Sequence, residues 1–117
     1  MAKQNLILDK SFGYALSIIE LYKFLVNEKK EYVLSKQVLP SGTSVGANIR
    51  EASVSQSKRE FIAKMNISLK EIHETEYWLQ LLLKSNYINE AQALLKETDE
   101  LIRILTSIIK TSNQNSR

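Results

Sequence analysis

The sequence predicts an all-α protein, an antiparallel up-down-up-down four-helix bundle. Three observations carry that reading. Apolar residues recur three and four apart over four long stretches, the repeat of one helix face and not of a strand. The 117 residues hold three glycines and one proline, too few for an all-β chain full of tight turns. The links between stretches are only a few residues long, which forces successive helices antiparallel. Residues 1–117 are read as a single domain, and a chain of that length buries roughly two-thirds of its unfolded surface without a staple.

The first helix is expected from about Leu6 to Asn27. Leu8, Phe12, Ala15, Ile19, Tyr22 and Val26 read as its core stripe, and Tyr14, Ile18, Leu21 and Leu25 form a second stripe beside it. In the second helix Leu34, Val38, Val45, Ile49 and Ala52 keep helical phase, with Ser41 and Asn48 filling the stripe. Pro40 and the run Ser41-Gly42-Thr43-Ser44 argue locally for a loop, since proline inside a helix costs about 3 kcal/mol and glycine about 1 kcal/mol. A loop has no reason to keep register, so the helix is expected to continue, kinked near Pro40.

Ser57-Lys58-Arg59-Glu60 has the form of a capping box and starts the third helix, which runs to about Ser85. Phe61, Met65, Leu69, Ile72, Leu79 and Leu83 form its expected core stripe. Asn89 with Gln92 reads as a second box opening the fourth helix, lined by Leu94, Leu101, Leu105 and Ile108. The tail from Thr111 to Arg117 is polar and expected to fray.

Composition narrows the chemistry. Cysteine is absent, which excludes disulfides, thiol catalysis and thiolate metal sites. The apolar run Leu6-Ile7-Leu8 ends at Asp9-Lys10, too short for a signal peptide, and no run spans a membrane. A cytoplasmic protein is expected. Sixteen basic and thirteen acidic residues leave a net charge of +3, unevenly spread. Residues 37–70 hold five basic and two acidic groups, whereas 71–100 hold two basic and seven acidic ones, a polarity that matters for docking.

A carboxylate-bridged metal site in a bundle needs Glu-x-x-His on two helices, yet His73 is the only histidine and Lys70 precedes it by three. At about 100° per residue, His73 falls roughly 60° from the centre of the core stripe, a boundary position. No catalytic residue, metal, cofactor or small-molecule substrate is expected. Gly42-x-x-x-Gly46 lacks the Gly-Lys-Ser/Thr of a phosphate loop and has no strand before it, so its small residues read as a site of close helix packing. Glu76 falls at the centre of the third helix's stripe. A buried carboxylate needs a partner, which Asn48 or Arg50 would supply, so Asn48 and Glu76 are the expected buried polar residues.

Arg50, Lys58, Arg59, Lys64 and Lys70 are the candidates for RNA binding. Lys58 and Arg59 sit at a helix N-terminus, where the dipole disfavours cations and phosphate would favour them. The five are scattered around their helices, and no aromatic residue interleaves them for base stacking. For self-association, Ile67, Glu74, Trp78 and Leu81 fall opposite the core stripe of the third helix. Tyr14, Ile18, Leu21 and Leu25 are the expected complementary surface. A patch that meets a different patch builds a cyclic oligomer.

The stretches Ser41-Gly-Thr-Ser-Val-Gly-Ala-Asn-Ile-Arg-Glu-Ala52 and Ile67-Ser-Leu-Lys-Glu-Ile-His-Glu-Thr-Glu-Tyr-Trp-Leu79 resemble the four-helix-bundle proteins encoded in intervening sequences of bacterial 23S ribosomal RNA genes. The resemblance spans nearly the whole chain. It implies an antiparallel bundle, a continuous second helix and a ring-like homopentamer without established catalytic activity. A similar branch, the accessory variability proteins of diversity-generating retroelements, works with a reverse transcriptase and nucleic acid. Two positions depart from the pattern: Pro40 stands where relatives commonly carry a basic residue, and His73 where arginine or asparagine is expected. The expected function is a non-enzymatic oligomeric scaffold binding RNA or a ribonucleoprotein partner. The competing expectation is a protein-interaction module that docks through the acidic Glu71 to Glu100 region and binds no nucleic acid.

Overall fold

Small side chains decide how the helices of this chain meet. The computed structural model describes residues 2–89 and 91–114, with four helices: α1 Ala2–Asn27, α2 Ser35–Ser53, α3 Lys58–Lys84 and α4 Gln92–Gln114. The helices pack as a ring of neighbours, α1 on α2, α2 on α3, α3 on α4 and α4 on α1. α1 and α3 are therefore diagonal, as are α2 and α4. The bundle measures 50 × 21 × 19 Å.

α2 is unbroken through Pro40, as its register predicted. Lacking an N–H, Pro40 leaves the Lys36 carbonyl without its helical donor, and both residues are exposed, where water can replace it. Thr43 Oγ1 donates to the Leu39 carbonyl at 2.8 Å, and the Ser44 hydroxyl donates to that of Pro40. The inner face of α2 is nearly all small: Ser35, Val38, Ser41, Gly42, Val45, Ile49 and Ala52. A methyl group at Gly42 would stand 2.7 and 2.9 Å from Cγ1 and Cγ2 of Ile18, and one at Gly46 would stand 3.2 Å from the Ser11 carbonyl oxygen. α1 thus packs almost backbone to backbone against α2. On the other side Thr75 Oγ1 hydrogen-bonds Ser41 Oγ at 3.0 Å, and Ser68 Oγ donates to the Val45 carbonyl at 2.7 Å, which ties α3 to α2 through small side chains.

This packing corrects the expected core stripes of two helices. In α1 the buried residues are Ile7, Ser11, Tyr14, Ile18 and Leu25, while Phe12 is 58% exposed. The spacing matches the expected Leu8–Val26 stripe, but the face is displaced by one residue, about 100°. In α3 the buried set is Met65, Ser68, Ile72, Thr75, Leu79 and Leu82. Phe61, Leu69 and Leu83 pack at its edge. In both helices the true stripe carries small polar residues where α2 comes closest. Their hydrogen bonds replace what water would give: Tyr14 and Thr98 join at 2.8 Å between α1 and α4. Among the described residues no buried side-chain nitrogen or oxygen lacks a partner.

The ends hold one confirmation, two corrections and one residue that no sequence signal marked. Ser57 caps α3 as expected, accepting from the Glu60 N–H at 3.0 Å, and the Glu60 carboxylate accepts from the Gln56 N–H at 3.0 Å. α4 begins at Gln92, so Asn89 lies three residues before the helix and does not cap it. Thr111 to Gln114 continue α4 where fraying was expected, and residues 115–117 lie outside the described ones. At the start of α2 the N-cap position is Leu34, which makes no side-chain cap, and Glu31, three residues earlier and unmarked by any sequence signal, takes the amides that lead into the helix. Its carboxylate, 7% exposed, accepts from the N–H groups of Val33, Leu34 and Ser35 at 3.1, 2.8 and 2.7 Å.

Desolvation works to raise the Glu31 carboxyl pKa, and the N–H groups of Leu34, Ser35 and Val33 outweigh it, holding the group below its usual value. A depressed carboxylate contributes stability that is present above the unfolded-state pKa and lost as pH falls through the folded-state one. Glu31→Gln should therefore be about 1–2 kcal/mol less stable near neutral pH, with a smaller further loss in acid than the wild type, by urea denaturation at a series of pH values. Equal acid sensitivity of the two proteins would contradict this role. Two glycines make a second pair of predictions. Gly42→Ala should cost about 1–3 kcal/mol, because the buried Ile18 must move. Gly13→Ala, with nothing within 4 Å of the added methyl, should stabilise the helix by about 0.5–1 kcal/mol. Thermal denaturation followed by circular dichroism reads both; the same sign for both would refute the packing account.

Candidate functional site

The five basic candidates do not gather into one surface. Arg50 lies on α2 at the mouth of a groove shared with α1, and Lys58 and Arg59 open α3 at the same end of the bundle. Lys64 is already engaged, its Nζ 2.7 Å from Glu51 Oε1, and that carboxylate holds the ammonium above its ordinary pKa. Lys70 stands twelve residues beyond Lys58, about 18 Å along the helix.

The expected buried polar pair is also corrected. Asn48 is half-buried and donates to the Ser44 carbonyl of its own helix at 2.8 Å. The Glu76 side chain is 41% exposed, its Oε1 4.0 Å from His73 Nδ1. Thr75, one residue earlier, takes the core position that periodicity assigned to Glu76. Tyr14 is among the polar groups the core does hold, and burial pushes its phenol well above the ordinary value.

The expected self-association surface changes most. Tyr14, Ile18 and Leu25 are fully buried within the bundle, and Leu21 packs against the same core. The outward face of α1 is the stripe that had been assigned to the core. Phe12 and Leu16 are 58% and 51% exposed. Leu8, Phe12, Ala15 and Ile19 form one wall of an open groove of about 350 Å³, and Thr43, Gly46, Ala47 and Arg50 of α2 form the other. On α3, Ile67 is 44% and Leu81 36% exposed, with Glu74 beside them. Trp78 is not free on that face as expected. It is half-buried against the core, and its Nε1–H donates to Glu74 Oε2 at 3.2 Å. The exposed aromatic here is Tyr77, whose ring meets that of Trp78 edge-on with centroids 5.2 Å apart.

A smaller cleft of about 140 Å³ between α1 and α4 is lined by Lys10, Gly13, Glu97, Glu100 and Leu101. Lys10 Nζ lies 3.6 Å from Glu100 Oε2, and burial, then Glu100, raises the Glu97 carboxyl. Among the described residues no group of three or more His, Cys, Asp or Glu could hold a metal ion, and no helix is long and apolar enough to cross a membrane.

Fold and surface together define an all-α four-helix chain whose most extensive unpartnered features are apolar helix faces. The chain belongs to the 23S rRNA-intervening sequence protein family, whose model matches residues 3–107. A similar solved structure is that of a protein of unknown function from the S23 ribosomal protein family of Bacteroides thetaiotaomicron. It is 55% identical, covers 92% of this chain and 98% of its own, and superposes with a TM-score of 0.90. The comparison with curated proteins found no match.

Proposed function

We propose that this protein is a non-enzymatic, self-associating scaffold that works with RNA or an RNA–protein particle. The observation that carries the self-association is the unpartnered apolar face of α1, where Phe12 and Leu16 stand more than half exposed above a groove. Large apolar side chains are common singly on a surface and uncommon as a contiguous stripe. Because α1 and α3 are diagonal, the α1 groove and the Ile67–Leu81 face of α3 look away from each other. One copy's α3 face meets the next copy's α1 groove in a heterologous contact, which closes into a ring when the rotation allows; the family resemblance implies five subunits. The RNA half is supported by the family's description and by the basic residues at the Arg50, Lys58 and Arg59 end. The alternative, a pure protein-interaction module, draws on the acidic Glu71, Glu74 and Glu76 of α3, of which Glu74 accepts from Trp78 and Glu76 faces His73.

Multi-angle light scattering of the purified protein is expected to give a multiple of 13.4 kDa. Phe12→Glu should dissociate it with helical circular dichroism intact, because Phe12 supports no core of its own. A wild-type monomer at micromolar concentration would refute the scaffold reading. RNA binding that weakens steeply with salt supports the RNA half; its absence at low salt would favour the protein-interaction module.

A further inference from the structure

We propose that the tip of the bundle formed by the α1–α2 connection binds single-stranded RNA. The inference rests on the RNA half of the function proposed above and places the contact at the end opposite Arg50, Lys58 and Arg59. Tyr32 is 50% and Val33 71% exposed, consecutive residues of the connection. They do not stand out because the loop is loose. Glu31, directly before them, is buried and ties the backbone N–H groups of Val33, Leu34 and Ser35, while Ser35 Oγ donates to the Glu31 carbonyl at 2.9 Å. The loop is fixed, and what it displays outward is an aromatic ring and an aliphatic side chain.

The backbone at the tip is set by the way α1 ends: the Glu31 N–H donates to the Leu25 carbonyl six residues back at 2.9 Å, a closure that needs a left-handed residue just before it. Lys30 has φ 55°, the left-handed region that side chains other than glycine enter at a penalty. That conformation turns the chain so that Tyr32 and Val33 face solvent while Glu31 reaches inward. Phe24, 41% exposed, lies at the end of α1 with Lys29 Nζ 5.8 Å from its ring centroid.

Charge at this end selects the partner. Lys29, Lys30 and Lys36 are exposed, and Lys84 ends α3 on the same side. The Glu31 carboxylate is occupied by backbone, and Glu20 lies 3.5 Å from Lys23, leaving Glu28 as the exposed carboxylate of the connection. Lysines around an exposed ring are what single-stranded nucleic acid requires: cations follow the phosphates and bases stack on the aromatic face without regard to sequence. A duplex keeps its base faces stacked and offers Tyr32 nothing to stack on. An anionic membrane would call for a broader apolar wedge than two residues.

The test is fluorescence anisotropy with a fluorescein-labelled single-stranded oligoribonucleotide, about 12 nucleotides long, on full-length protein whose folding is checked by circular dichroism. Tyr32→Ala is expected to weaken binding at least about fivefold, and Tyr32→Phe to leave it unchanged, since the ring and not the hydroxyl stacks. The pair Lys29→Gln and Lys36→Gln should reduce the slope of log Kd against log salt by about 1.4. If RNA binds and only Arg50→Gln, Lys58→Gln and Arg59→Gln weaken it, the tip assignment is overturned and the RNA reading survives. No binding at low salt overturns both. Tyr32-dependent binding to phosphatidylcholine–phosphatidylserine vesicles in place of the oligonucleotide also overturns the assignment, in favour of a membrane contact.

Discussion

The close approach of α2 to both of its neighbours is the constraint on which the rest of the structure depends. Gly42 seats the branched carbons of Ile18, Gly46 meets the Ser11 backbone, and Ser41 and the Val45 carbonyl take hydrogen bonds from Thr75 and Ser68. A helix whose inner face is mostly small contributes less apolar area of its own, chiefly Val38, Val45 and Ile49, so most of the large side chains of the core come from α1, α3 and α4, among them Tyr14, Ile18, Met65, Ile72, Leu101 and Leu105. Packing gains from interdigitation at that distance offset the weak helix propensity of the Ser-Gly-Thr-Ser run. The same logic explains the unbroken passage through Pro40, which sits on the outward side, where its missing donor is replaceable by water.

Close packing has a consequence at the surface. Helices that meet α2 through small residues have large apolar residues left over. α1 carries two apolar stripes about 100° apart; Ile7, Tyr14, Ile18 and Leu25 turn inward, and Phe12 and Leu16 turn outward. α3 does the same with Ile67, Tyr77 and Leu81. These residues are left largely in water by a lone bundle, and the proposed contact with another copy is what would cover them. With α1 and α3 diagonal, such a contact would be directional rather than two-fold.

Much of the fold was legible in the sequence. Periodicity marks all four helices, the Ser57–Glu60 box marks the start of α3, and the in-phase stripe across Pro40 shows that α2 does not break. What the sequence did not disclose was phase. In α1 the stripe through Phe12 is more hydrophobic than the true one through Ser11, and in α3 Ser68 and Thr75 look like surface residues. Hydrophobicity ranks residues by transfer free energy and cannot see that a small hydroxyl fits where two backbones nearly touch. Glu31 was missed for a related reason: its side chain reaches forward over a turn to three amides, a pattern that no simple spacing rule describes. The same phase shift moves the exposed apolar face of α1 from the Tyr14–Leu25 stripe to the Phe12–Leu16 side.

The absence of cysteine makes the central claim, a heterologous contact between the α1 groove and the α3 outer face of the next copy, open to a direct measurement. Leu16→Cys and Ile67→Cys introduced together give each subunit one thiol on either face and none elsewhere. Mild oxidation followed by denaturing, non-reducing electrophoresis should yield a ladder of covalent multimers ending at the ring size, while either variant alone stays monomeric. A double variant that remains monomeric after oxidation, or a single variant that alone gives covalent dimers, would contradict the account.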